Sequence, residues 1–254
     1  MPSLTSAAQT AKPPGPGLLP ETPAGPLAAA HVPYMALTEG EGKLRLDPRL
    51  VAGANGWIEH RDPTPYDRYP DFDVLLAQTT GLFPSGRPDG NQLSPYRQAH
   101  CMANLLCQGC ARPAAQNPKG WPLWVLPATT STGAAATATG LTDMPPSCAR
   151  CATHWCPRLE ELGRRLLWVA EADLEGVYGM WFPRDMGGMV PDQFVPFENE
   201  RQLSAVVATR FVRDLRRVNE ADPADVDALA RQQAGTERSS VTCPPEPRST
   251  GRNA

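Results

Sequence analysis

Four cysteines, arranged as two Cys-x-x-Cys pairs, are the residues of this sequence whose types and spacing could do chemistry. They are Cys107, Cys110, Cys148 and Cys151. Two residues between cysteines let one tight turn present both thiolates to a metal ion, and a structural Zn²⁺ takes four such ligands in a tetrahedron. Because four thiolates leave no coordination position open for water, the pattern predicts a structural zinc and not a catalytic one.

The sequence leaves the ligand set and the role of the two pairs open. Four nearby residues could each replace one of the cysteines as a zinc ligand: His100, Cys101, His154 and Cys156. The cysteines could also be buried as small apolar residues, or form a disulfide once the protein is isolated. A thioredoxin-like redox pair lacks its repeated strand and helix pattern, and a covalent haem needs histidine where Ala111 and Ala152 stand.

Composition limits the class of protein. The chain has 254 residues, among them 29 prolines and 21 glycines, so we expect part of it to stay outside any core. A net charge of -3 gives no overall attraction to nucleic acid or anionic lipid. Seven cysteines without an export signal favour metal or redox chemistry over a disulfide framework, and a cytoplasmic protein is expected. No apolar run approaches the ~18 residues of a membrane span, so we expect no membrane partner.

The sequence divides into four parts. Residues 1–30 are rich in proline and alanine and are predicted to form a disordered tail. Proline or glycine recurs every few residues in 31–94, which predicts a loop-rich region that packs on the core. Residues 95–220 are predicted to form the zinc-binding domain, with a flexible Ala/Thr-rich insert at 128–145. A short helix and a second disordered tail are expected in 221–254.

Local signals place several short elements. Ser94 followed by Pro95 predicts the start of a short helix that ends near the first cysteine pair. The run GWPLWVLP at 120–127 is apolar at nearly every position, which predicts a strand covered on both faces. A further short helix is expected at 72–78, and another after Pro223.

Three larger elements complete the predicted domain. A helix is expected to begin at the second cysteine pair and to be interrupted at Pro157. Residues 166–183 are predicted to form a hairpin with its turn at Glu175 and Gly176. Between 201 and 218, apolar residues recur at helical spacing, which predicts an amphipathic helix. The predicted fold class is α+β, a small treble-clef-like zinc module with short strands and a C-terminal amphipathic helix, flanked by disordered tails.

Two stretches carry a resemblance to a known group of proteins. LLCQGCARPAAQNPKGWPLWVLP holds the first pair with a turn and an apolar strand, and PPSCARCATHWCPRLEELG holds the second pair at a predicted helix start. Over roughly residues 95–215 the chain resembles uncharacterised actinobacterial proteins with this pattern. The resemblance implies no activity, and it implies zinc ligation by Cys107, Cys110, Cys148 and Cys151.

The sequence favours a non-enzymatic interaction or regulatory protein with a structural Zn²⁺ and predicts no catalytic residue. Its partner is left open between a protein and a nucleic acid. Residues 95–168 hold seven basic and three acidic residues, a local excess of +4, and Arg164 and Arg165 belong to this group. Sequence-tolerant nucleic-acid binding through arginines near the zinc module is the first alternative.

A degenerate HNH-like, metal-dependent nuclease is the second alternative. Such enzymes often carry structural cysteine pairs around a separate catalytic ion, and they need a general-base histidine between the pairs. Residues 111–147 contain no histidine, which argues against this class. Its catalytic groups would have to come from elsewhere in the chain: His60, His100 and His154 with Asp71 or Asp73.

Overall fold

A computed structural model describes residues 34–46, 49–53, 55–81, 84–109, 111–129, 136–138, 157–183 and 188–236. Several predicted features lie outside these residues: Cys110, Cys148, Cys151, His154 and Cys156, the tail at 1–30, residues 237–254 of the second tail, and most of the insert at 128–145. The helix predicted at the second cysteine pair is described only from Pro157 onward.

The first part of the described chain contains short strands and one helix. The strands are β1 (Ala36–Thr38), β2 (Leu50–Ala52), β3 (Ile58–His60), β4 (Arg68–Tyr69), β5 (Val74–Leu75) and β6 (Pro88–Leu93). They pair antiparallel, β1 with β6, β2 with β3 and β4 with β5. Helix α1, Pro95–Asn104, follows β6, and the hydroxyl of Ser94 accepts the N–H of Arg97. The helix predicted from Ser94 and Pro95 is therefore confirmed.

An antiparallel sheet forms the centre of the described fold. The remaining elements are β7 (Leu123–Pro127), β8 (Ala136–Ala138), α2 (Pro157–Leu162), β9 (Arg164–Trp181), β10 (Val190–Pro196), α3 (Glu200–Leu203), β11 (Val206–Glu220) and α4 (Pro223–Thr236). The two long strands β9 and β11 pair from Leu167 with Glu220 to Trp181 with Val206. On the other edge of β9, β7 pairs with its first half and β10 with its second half. β8 pairs with β11.

The core lies on both faces of this sheet. Leu123 and Val125 of β7 pack in one buried cluster, while Trp124 and Leu126 pack in another. Successive side chains of a strand point to opposite faces, so both faces of β7 are covered, as its unbroken apolar run predicts. Helix α1 lies against β11, where Met102 belongs to the same buried cluster as the sheet residues of that region.

The predicted fold class is wrong. The described residues are rich in strand and form several antiparallel sheets, so the described fold is not a small treble-clef module. The predicted amphipathic helix at 201–218 is instead the short helix α3 followed by the long strand β11.

The helical spacing at 201–218 arises from a strand that is buried on both faces. Val206 and Val207 are adjacent and fully buried, and they belong to different clusters because they point to opposite sides of the sheet. Two register shifts in the pairing with β9 then interrupt the alternation of side chains along β11. The apolar residues of β11 therefore have the same spacing as those of an amphipathic helix. The β-branched valines among them favour a strand.

The predicted hairpin turn at Glu175 and Gly176 is also wrong, because β9 runs through both residues without interruption. Gly176 is buried opposite Pro196 of β10. A Cβ atom at this position would lie 2.3 Å from the carbonyl oxygen of Val195. This glycine therefore allows two strands to approach closely and does not make a turn.

Of the remaining predicted elements, some are confirmed and others are wrong. The helix expected at 72–78 is wrong, because Asp73 adopts a left-handed φ of 47° and β5 follows it directly. The insert at 128–145 contains β8, so that part of it is a strand rather than a loop. The strand expected at 120–127 is confirmed as β7, and the helix after Pro223 is confirmed as α4. Within the described residues, no helix has the length and apolar character needed to cross a bilayer.

Candidate metal centre

The described residues after α1 fold into a tight turn, which we call the cysteine turn and define as residues 106–109 and 111–113. Leu105 ends α1 in a left-handed conformation with a φ of 52°. The backbone N–H of Cys107 donates to the carbonyl oxygen of Arg112 at 2.7 Å, and the N–H of Ala111 donates to the carbonyl oxygen of Cys107 at 2.7 Å. These two hydrogen bonds hold the ends of the turn together.

The sulfur of Cys107 accepts a backbone hydrogen bond inside the cysteine turn. Its donor is the N–H of Gly109, which lies 3.3 Å from Sγ. A hydrogen bond accepted by sulfur favours the thiolate over the thiol, and the thiolate is the form that binds zinc. Ala111 has a φ of 56°, in the left-handed region that few residues other than glycine adopt. The backbone of this turn is thus arranged around an acceptor sulfur.

Two backbone hydrogen bonds attach the cysteine turn to the residues just before β1. The N–H of Tyr34 donates to the carbonyl oxygen of Gly109 at 2.9 Å, and the N–H of Met35 donates to that of Gln108 at 3.1 Å. Cys107, Gln108 and Gly109 are all buried. The turn is therefore part of the folded core and not a surface loop.

Side chains of α1 also contact the cysteine turn. The thiol of Cys101 donates to the carbonyl oxygen of Cys107, with Sγ and oxygen 3.7 Å apart. The side-chain amide of Gln108 donates to Sδ of Met102 at 3.2 Å. Cys101 is fully buried and lies directly beside the cysteine turn.

Helix α2 lies close to the cysteine turn. Leu159 of α2 and Cys107 belong to one buried cluster, which also contains Met35, Leu123 and Val226. This cluster joins the turn to β7 and α4 as well. The helix that begins six positions after Cys151 is therefore packed into the same core as Cys107.

Of the predicted catalytic histidines, the structure describes His60 and His100, which lie on different elements. His60 is buried in β3, and its Nε2 lies 2.8 Å from the carbonyl oxygen of Leu76. His100 is half-buried on α1, where burial lowers its pKa and the nearby carboxylate of Asp71 opposes that shift. Among the described residues, no group of three or more His, Cys, Asp or Glu side chains could hold a metal ion. The nuclease constellation is thus not assembled in the part of the chain that the structure describes.

Four arginines on the long strands of the sheet form ion pairs with carboxylates. Arg165, which was predicted to contact nucleic acid, forms an ion pair with Glu220. Similar pairs follow on β11: Arg210 with Asp192, Arg216 with Asp173, and Arg217 with Glu171. Such exposed pairs contribute little to stability, but they reduce the positive charge that a phosphate would meet. They give no observation in favour of nucleic-acid binding.

Two buried polar residues that the sequence did not single out position the helix that leads to the cysteine turn. Gln98 of α1 binds the backbone of Phe211 in β11. Arg213 is buried and its guanidinium donates to the carbonyl oxygens of Met102 and Ala103, at 2.6 and 3.1 Å. These carbonyls belong to the last turn of α1, where a positive charge is favourable. In the predicted helix at 201–218 Arg213 falls on the solvent face, so the sequence carries no signal for this role.

Comparison with known proteins finds no family model that matches the chain, and neither a curated protein nor a solved structure that is significantly similar to it. The resemblance to actinobacterial proteins with two cysteine pairs therefore stays a prediction. The function has to be argued from the residues themselves.

Proposed function

We propose that the chain is a non-enzymatic zinc-binding protein that interacts with another protein through its exposed surface. A structural Zn²⁺ is held in this proposal by the four cysteines of the two pairs: Cys107, Cys110, Cys148 and Cys151. The observation that carries the proposal is the hydrogen bond from the N–H of Gly109 to the sulfur of Cys107.

The surroundings of Cys107 fit a metal ligand better than a buried apolar cysteine. A cysteine that only fills space makes no demand on the backbone, whereas here a tight turn brings an N–H to the sulfur, and Ala111 in the same turn has a left-handed φ of 56°. The cluster around Cys107 is apolar, and a thiolate in such surroundings needs a nearby positive charge. A zinc ion supplies that charge when it is bound.

The position of α2 supports participation of the second pair. Pro157, the first residue of α2, follows Cys151 by six positions, and an extended chain of that length spans up to about 20 Å. Leu159 packs in the same cluster as Cys107. The chain length therefore permits Cys148 and Cys151 to reach the cysteine turn, with one ion joining the two segments.

The metal would couple parts of the chain that are distant in sequence. The cysteine turn already binds the backbone of Tyr34 and Met35 and follows α1 directly. Binding of a structural zinc is worth on the order of 10 kcal/mol, which is added to the folding free energy of the elements that its ligands connect. In this role the residues around the site hold shape, and recognition belongs to the exposed surface.

The test is the zinc content of the full chain purified under reducing conditions. We expect one zinc per chain, and we expect Cys107→Ser and Cys148→Ser each to lose both the metal and much of the thermal stability. Cys101→Ser is the matched control, because it removes a buried thiol next to the turn and leaves the four proposed ligands in place. Folded wild-type protein without metal would contradict the proposal, and loss of zinc in His154→Ala would change the ligand set.

A further inference from the structure

A cleft of about 450 Å³ lies between the turn before β4, the segment after β5 and the start of α1. Residues from 62–67, 77–80 and 94–97 line it, together with Glu41, Arg45 and Pro84. Its volume falls within the range of small-molecule sites in proteins. The cleft shares no residue with the cysteine turn, so it is a separate feature of the molecule.

Two buried carboxylates line this cleft and differ in their partners. Glu41 is 6% exposed, and both terminal nitrogens of Arg97 donate to it, at 2.6 and 2.8 Å. Asp67 is 7% exposed, and its described donors are neutral: the N–H and hydroxyl of Thr64 and the side-chain amide of Gln78. No cation among the described residues pairs with Asp67. A buried carboxylate without a counter-charge is unfavourable, so a cationic ligand would find a prepared partner here.

The lining of the cleft carries an excess of negative charge. Three carboxylates, those of Glu41, Asp62 and Asp67, stand against the guanidinium groups of Arg45 and Arg97. Asp62 is exposed, and no ion pair joins it to another described residue. The Nε of Arg45 donates to a backbone carbonyl oxygen at 3.3 Å. Of the two arginines that line the cleft, Arg45 is the one without a carboxylate partner among the described residues. One negative charge is left over, which favours a cation over an anion.

Two tyrosines give the cleft an aromatic wall. The rings of Tyr66 and Tyr96 are 5.3 Å apart between centroids and 75° between planes, an edge-to-face contact, and both residues are half-buried. The negative face of such a ring attracts an ammonium group, and its area accepts an apolar substituent. Burial raises the pKa of Tyr96, so its phenol is neutral at physiological pH.

From a buried carboxylate that has neutral donors and no cationic partner among the described residues, the charge excess and the aromatic wall together, we infer that this cleft binds a small organic ammonium ion. The charged nitrogen pairs with Asp67, and the apolar part of the ligand packs on Tyr66 and Tyr96. Asp62 adds attraction from the solvent-exposed part of the lining. The cleft uses none of the cysteines, so its ligand is independent of the proposed metal site.

The experiment is an NMR titration of the ¹⁵N-labelled full chain with 2-phenylethylammonium. Two probes with the same ring serve as controls: 2-phenylethanol, which is neutral, and phenylacetate, which is anionic. We expect saturable shifts at 62–67, 77–80 and 94–97 with the ammonium probe and much smaller shifts with the two controls. Salt is held constant, since screening weakens an interaction with exposed charge.

Three variants locate the interaction. Asp67→Asn is expected to weaken binding about tenfold, and Asp62→Asn, at an exposed position, about twofold to threefold. Glu198→Gln removes an exposed carboxylate that does not line the cleft and is expected to change nothing. Because Asp62 is exposed, its variant keeps the test decisive even if Asp67→Asn fails to fold.

Three outcomes would overturn the inference. The first is equal binding of phenylacetate or 2-phenylethanol, which would remove the role of charge. The second is an affinity for the ammonium probe that neither aspartate variant changes. The third is the absence of a saturable shift at the cleft residues in folded wild-type protein.

Discussion

Gln98 of α1 binds the backbone of Phe211 in β11 with both ends of its side-chain amide. Its Nε2 donates to the carbonyl oxygen of Phe211 at 3.1 Å, and its Oε1 accepts the N–H of Phe211 at 2.8 Å. Both residues are fully buried. The amide takes the place of a neighbouring strand at this point of β11 and joins the helix that precedes the cysteine turn to the central sheet.

Replacement of Gln98 by leucine is expected to destabilise the protein by about 2–4 kcal/mol, because it leaves a buried N–H and a buried carbonyl without a partner. Urea unfolding of the two proteins measures this difference. Gln116→Leu, at an exposed position, is the matched control and is expected to change stability by less than about 0.5 kcal/mol. Equal effects of the two variants would contradict the role given to Gln98.

Gly176→Ala tests the continuous path of β9. The new Cβ would overlap with the carbonyl oxygen of Val195, 2.3 Å away, so β10 would have to move. We expect a loss of at least about 2 kcal/mol in thermal or urea unfolding. Gly120→Ala is the comparison, since its φ of 77° strains alanine but nothing lies within 4 Å of the new atom. A smaller loss for Gly176→Ala than for Gly120→Ala would argue against the close approach of the strands.

Ala111→Gly tests the conformation of the cysteine turn. A φ of 56° costs an alanine about 1–2 kcal/mol, which glycine avoids, while glycine loses about 0.5–1 kcal/mol through its greater freedom when unfolded. We therefore expect a gain in stability of up to about 1 kcal/mol. Ala114→Gly, where the backbone has no positive φ, should lower stability instead. A loss of stability in Ala111→Gly as large as that in Ala114→Gly would contradict the left-handed conformation of Ala111.

His100 gives a prediction about pH. Burial lowers its pKa from the usual 6.5, so the folded state takes up the proton less readily than the unfolded chain. The contribution of this group is therefore fully present above the unfolded pKa of 6.5 and is lost as the pH falls from there through the lower pKa of the folded state. An NMR titration of the ring should give a pKa below 6.5, and Asp71→Asn should lower it further because the carboxylate opposes the shift. A higher pKa of His100 in Asp71→Asn would contradict the electrostatic interaction between the two side chains.

Elements with strong local signals could be predicted from the sequence. The helix α1 has a capping serine followed by proline, and β7 is an unbroken apolar run between turn residues. The strands β9 and β11 could not be predicted in the same way, because their pairing is not local. A strand with both faces buried shows no alternation, and Val206, Val207 and Phe211 then fit helical spacing equally well.

The two candidate sites also differ in how far the sequence could predict them. The spacing of Cys107 and Cys110 points to a tight turn around a sulfur, and the structure describes such a turn at Cys107. The cleft at Asp67 has no sequence signature, because its residues come from stretches between Glu41 and Arg97 that only tertiary structure brings together. An aspartate whose described partners are neutral donors becomes visible only when its neighbours in space are known.

The attachment of Tyr34 and Met35 to the cysteine turn also bears on the order in which the chain folds. β9, β10 and β11 follow one another closely in sequence, so their pairing closes short loops. The contact between Tyr34 and Gly109 instead closes a long loop that contains six strands and α1, and the entropy of closing it delays its formation. We expect the residues before β1 to dock last and detach first, so that the amide of Tyr34 exchanges its hydrogen with solvent well before that of Phe211.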